Sequence, residues 1–100
     1  MNHTMLVLNI PPEIEEDLVD YLLSLEAVAG FTSFRVHGHG ENSLLSIAEQ
    51  VTGRRARLRY ELVLDETQVH GVIANLGAKV GRDIIYWQQP VSNFGRIDSL

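Results

Sequence analysis

Apolar residues recur along this chain with two different periods. From Met5 to Ile10 an apolar run places Thr4, Leu6, Leu8 and Ile10 on one face and Met5, Val7 and Asn9 on the other, the pattern of a buried central strand. Pro11 and Pro12 stop it, because proline supplies no ladder donor. The period then lengthens. Ile14, Leu18, Leu22, Leu25 and Ala29 recur at helical spacing, predicting an amphipathic helix that ends before Gly30. Pro12 suits its first turn, and Glu13, Glu15, Glu16 and Asp17 complement the helix dipole there.

Alternation returns from Phe31. Thr32, Phe34 and Val36 form one face, read as the core side. Arg35, His37 and His39 share the other with Phe31 and Ser33. Gly40 to Gly53 is a long connection. Leu44, Leu45, Ile47, Ala48 and Val51 predict a short helix within it, capped by Ser43 and packed on the body or on another subunit. Arg54 to Leu64 is the clearest strand, with Ala56, Leu58, Tyr60, Leu62 and Leu64 inward and Arg55, Arg57, Arg59, Glu61 and Val63 outward. Asp65 to Gln68 reads as a capping box, with Asp65 as the cap and Gln68 reaching back. Val69, Val72, Ile73, Leu76 and Val80 predict a second helix, with Gly81 as a left-handed stop. Asp83 to Gln89 is the last strand, ended by Pro90. A polar tail follows, with Phe94 and Ile97 as anchors.

Strand, helix, strand, strand, helix, strand is the ferredoxin-like βαββαβ plan. The expected fold is α+β, a four-stranded antiparallel sheet with both helices on one face, in one domain over residues 1–100. The open face would carry Arg35, His37, His39, Arg55, Arg57 and Arg59 among Val7, Val63, Ile85 and Trp87. A solvated face has no need of those apolar residues, so another subunit is expected to cover it.

Composition narrows the function. A hydrophobic content of 45% with 21% charged residues is that of a globular protein, and a formal net charge of −5 argues against general nucleic-acid binding. With no cysteine there is no disulfide framework, thiolate metal site or cysteine nucleophile. No apolar run reaches membrane-spanning length and no leader pattern opens the chain, so a cytoplasmic protein that is not membrane-embedded is expected. No nucleophile and base pattern, phosphate loop or dinucleotide fingerprint occurs, so a non-enzymatic role is expected, with a small ferredoxin-like enzyme as the weaker alternative.

Two sets of residues can carry chemistry. His37 and His39 leave one strand face two residues apart, a spacing that chelates copper, nickel or zinc. A third ligand would have to come from His3, Glu41, Asp98 or another subunit; a loop-base or interface role is the plainer alternative. Arg55, Arg57 and Arg59 can grip phosphate or carboxylate in bidentate pairs, or instead pair between subunits with Glu49, Glu61 or Asp83.

Val28-Ala29-Gly30-Phe31-Thr32 leading to Val36-His37-Gly38-His39-Gly40, with Glu61-Leu62-Val63-Leu64 leading into the second helix, resembles the P-II signal-transduction superfamily. More narrowly, it resembles the small P-II-like proteins of uncharacterised function that accompany heavy-metal efflux systems. The resemblance implies a trimer with ligand clefts between subunits and a signalling loop over Gly40 to Gly53. It implies a regulatory role toward a protein partner, such as a membrane efflux system, and a ligand that is an adenine nucleotide or a divalent metal ion. It brings Gly38 and Gly40 to the glycines at the loop base, Arg82 to the place of a phosphate-loop lysine, and Arg96 to a phosphate-binding arginine. Glu41-Asn42-Ser43 stands where P-II proteins carry basic residues, and the modified tyrosine of their loop has no counterpart.

Overall fold

The computed structural model describes residues 2–40 and 55–99. Strands β1 (His3–Ile10), β2 (Thr32–Gly38), β3 (Arg55–Asp65) and β4 (Ile85–Val91) form one sheet in the order β2-β3-β1-β4, every neighbouring pair antiparallel. Helix α1 (Glu15–Leu23) follows a 3-10 turn over Pro12–Ile14. After β3, a 3-10 turn over Glu66–Gln68 leads into α2 (Val69–Ala74) and α3 (Leu76–Lys79). The expected ferredoxin-like architecture is therefore present, with β1 in the interior of the sheet.

Register explains the core. Leu6 lies opposite Leu62, Leu8 opposite Tyr60 and Ile10 opposite Leu58. Residues directly opposite on antiparallel strands share a face. This face packs against Leu18 and Leu22 of α1 and Val72 and Leu76 of the second helical segment. The Tyr21 hydroxyl donates to the Val72 carbonyl at 2.6 Å, tying α1 to α2.

Both helices are shorter than their apolar stripes. At the end of α1 the Ser24 hydroxyl donates to the Tyr21 carbonyl, and the Leu25 amide turns to Leu22 instead. The side chain competes for the carbonyl the next turn would use, so the helix tightens and stops. Leu25 and Val28 still pack on the core from the turns that follow. The second stripe breaks at Asn75, which leaves helical geometry at φ −103° and ψ 0°. Gly81 is no left-handed stop, since Gly40 alone has positive φ among the described residues. Gly81 is needed for closeness: a Cβ there would lie 3.2 Å from Ile14 Cδ1.

Pro90 lies inside β4 opposite Thr4. An edge strand tolerates it, because only one side of β4 needs ladder donors. Asp65 caps as expected, its carboxylate accepting from the Thr67 amide at 3.0 Å.

That hydrogen bond, with help from His3, holds the Asp65 carboxyl below its usual range. A lowered folded value means the contribution is in place above the ordinary aspartate value of about 4 and is lost as pH falls through the lowered one. Thermal unfolding over a pH series should show a wild-type advantage over Asp65→Ala that is constant near neutrality and shrinks in this acid window. A gap that stays constant down through that window would remove Asp65 as a source of acid sensitivity.

The largest departure concerns β2. Ser33 lies opposite Tyr60, Arg35 opposite Leu58 and His37 opposite Ala56, so Arg35 and His37 are on the helix side of the sheet. Phe34, Val36 and Gly38 lie opposite Arg59, Arg57 and Arg55 on the open side. Phe31 sets this parity. Its ring packs on Tyr60 with centroids 5.8 Å apart, and it is partly buried against the core cluster.

Candidate functional site

The open face is organised by three arginines of β3. Arg55 and Arg57 stand at one end of the sheet and are only 8% and 3% exposed. Two residue types make that burial tolerable. Asn9, the β1 residue opposite Arg59, receives Arg57 twice: Nε donates to its side-chain oxygen and Nη2 to its carbonyl at 2.7 Å. Asp83, between α3 and β4, pairs with both arginines. One carboxylate oxygen meets Arg57 Nη1 at 3.1 Å and the other is bonded by Arg55 Nη2. Buried charges persist only when paired and hydrogen-bonded in this way.

Gly38 fits the cluster by what it lacks. A Cβ there would approach Arg57 Cγ to 3.2 Å, and Arg57 is pinned by Asn9. Gly38, His39, Asn9, Arg55, Arg57 and Ile85 line a partly open cavity of about 90 Å³.

Further along the face, the Arg59 guanidinium lies 5.6 Å from the Phe34 ring and 5.1 Å from that of Trp87. Phe34 is on β2 and Trp87 on β4, so this side chain crosses β1 and helps shield Val7, which has no exposure. Arg59 also pairs with Glu61 at 3.0 Å. Phe34 and Ile85 are each 44% exposed and Trp87 37%, leaving an apolar rim around the cationic centre.

The structure gathers some of the expected site residues and scatters others. Gly38, His39 and Arg57 meet at one cavity; Gly40, at φ 102°, is not part of its lining. Arg82 lines a different cavity, with Leu76, Gly81 and Tyr86. Arg96 is exposed in the tail, paired with Asp98 at 2.9 Å, and each group favours the other's charged form.

His37 lines a third cavity of about 300 Å³ with Pro12, Glu15 and Arg35, so the two imidazoles do not line one space. His3 is at the other end of the sheet, opposite Asp65 and beside the Phe94 ring. No group of three His, Asp or Glu suited to a metal occurs among the described residues. Glu41 and Glu49, and the helix expected from Ser43, lie outside the described residues.

Asn9 is the component that sequence reasoning missed. Its signal was a polar residue on the open-face parity of a central strand, next to the proline pair. Asp83 was among the plainer alternatives for the arginines, but as a pairing between subunits; the structure forms it within one chain.

The strand order and the helices confined to one face define a protein of the ferredoxin-like fold, with a half-apolar, arginine-bearing open face. The chain belongs to the DUF3240 family, described as proteins of unknown function, whose profile matches residues 1–98. A DUF3240 family protein from Shewanella baltica superposes with a TM-score of 0.80 at 22% identity, covering 97% of this chain and 98% of that one. Arabidopsis thaliana PII, solved bound to citrate, superposes with a TM-score of 0.75 at 24% identity, covering 98% of this chain and 85% of that one. At these identities the likeness is one of fold. None of the curated proteins matches. No helix among the described residues is long and apolar enough to cross a membrane.

Proposed function

We propose that this protein is a non-enzymatic P-II-like regulator that binds a small anionic ligand at the Arg55–Arg57 end of its open face. The carrying observation is the arginine pair itself, two nearly buried guanidiniums beside Gly38 and a small cavity. Such forks suit phosphate and carboxylate. Adenine nucleotides are candidates from the P-II likeness, and citrate is a candidate because the Arabidopsis protein was solved with it. The apolar rim of Phe34, Ile85 and Trp87 supports a homo-oligomer, a trimer by the same likeness, in which copies cover the open face. Ligand state would pass to a protein partner, such as a membrane efflux system or a regulatory protein, through the segment from Gly40 to Gly53. A metal-sensing role for His37 and His39 has less support, because they line separate cavities and need ligands from outside the described residues.

Thermal unfolding with ATP, ADP, citrate, Cu²⁺, Zn²⁺ or Ni²⁺ tests the reading. A ligand at about a hundred times its Kd adds roughly 2.7 kcal/mol, a rise of about 10 °C or more for a chain of this size. A rise with an anion is expected. A rise with a metal alone, lost when His37 and His39 are both replaced by alanine, would establish the metal role instead. A light-scattering mass of one chain at micromolar concentration would remove the oligomer.

A further inference from the structure

We propose that the Asp83 carboxylate is a built-in substitute for the ligand, and that a small carboxylate binds by taking its place between Arg55 and Arg57. This inference rests on the reading that the arginine pair is the ligand site and adds the ligand class and the means of response.

Three observations carry it. First, the fork already holds a carboxylate in the bridging arrangement a ligand would adopt, Oδ1 shared between Arg57 and Arg55 and Oδ2 bonded by Arg55. Second, burial is asymmetric. The arginine side chains are 10% and 2% exposed, whereas that of Asp83 is 34% exposed. The cations are built into the sheet, while the carboxylate reaches them from the solvent side and can leave without opening the core. Third, a cavity of about 90 Å³ adjoins the fork, room for an anionic head group, and Ile85 and His39 are part of its lining.

Exchange of one carboxylate for another keeps the guanidinium charge compensated throughout, which removing Asp83 alone would not. It also sets a threshold. The internal carboxylate competes at high effective concentration, so the free site answers only to a concentrated ligand. Release of Asp83 frees the connection between α3 and β4, and β4 carries Ile85 and Trp87 of the open face. Arg55 opens β3 directly after residues 41–54. Exchange at this point thus touches both the face proposed to meet other copies and the segment proposed to meet a partner.

Calorimetric titration of the full chain with citrate, inorganic phosphate and ATP, using wild type, Asp83→Asn and Asp83→Ala, tests the exchange. Asp83→Asn keeps the shape of the side chain and guards against a variant that merely unfolds. If Asp83 fills the fork in nine-tenths of wild-type molecules, its removal should tighten citrate binding by about tenfold. Citrate should also restore the melting temperature lost in the variants, where chloride at equal ionic strength does not. Citrate binding with unchanged or weaker affinity in both variants would overturn the exchange while leaving the anion site standing. A gain for phosphate without one for citrate would overturn the carboxylate class. No binding of citrate, phosphate or ATP by any of the three proteins would overturn the anion site and the exchange together.

Discussion

Replacing Arg57 with alanine should lower the unfolding free energy by about 3 kcal/mol, the lower end of the range for breaking a buried ion pair. The side chain is 2% exposed and reaches Asn9 through two donors and Asp83 through a third. Its removal leaves the Asn9 side-chain oxygen and carbonyl without those donors, and unsatisfied buried acceptors are costly. The lower end applies because Asp83 keeps Arg55 and some solvent contact. Arg57→Lys should recover only part of the loss, since one ammonium on a flexible stem cannot reproduce a planar fork. Urea titration reads both variants. A loss below about 1 kcal/mol for Arg57→Ala would show that the cluster does not hold this end of the sheet.

Leu8→Ala should cost a similar amount, about 3 to 4 kcal/mol, by leaving a cavity between the central strand and the helices. Leu8 has no exposure and lies opposite Tyr60 on β3 and Tyr86 on β4. Ile85→Ala is the informative partner. Ile85 is 44% exposed, and its truncation in a lone chain should change stability by no more than about 0.5 kcal/mol. If copies of the chain cover the open face, the cost of Ile85→Ala becomes concentration-dependent and that of Leu8→Ala does not. Melting curves over a hundredfold range of protein concentration separate the cases. Equal, concentration-independent losses at both positions would mean that Ile85 belongs to the internal core and that the open face is not an interface.

Much of this was legible in the apolar pattern. The alternation of β1 and β3 fixed which residues face the helices, because Leu6, Leu8, Leu58 and Leu62 leave no other parity open. The strand and helix order followed, as did the presence of three arginines on the opposite face. Helix ends were less legible. The stripe at Leu25 and Val28 continues in register with α1 although the backbone has already turned, since Ser24 decides the stop through a hydrogen bond rather than through hydrophobicity.

The strand β2 shows why the site was harder to read than the fold. Its alternation of Phe34 and Val36 with Arg35 and His37 looks like a buried face and a polar one, yet both are largely exposed on an edge strand. With little to bury, its parity was set from outside, by pairing with β3 and by Phe31 against Tyr60. That parity carried Arg35 and His37 to the helix side. It put Gly38 opposite Arg55, where the Arg57 stem passes. The sequence by itself determined the layers, the core and the arginine stripe, because burial follows local periodicity. Only the tertiary structure decided that Asn9 and Asp83, from strand and loop far apart in the chain, meet two of those arginines. Partners for buried charge are chosen by proximity in space, on which the period of a strand is silent.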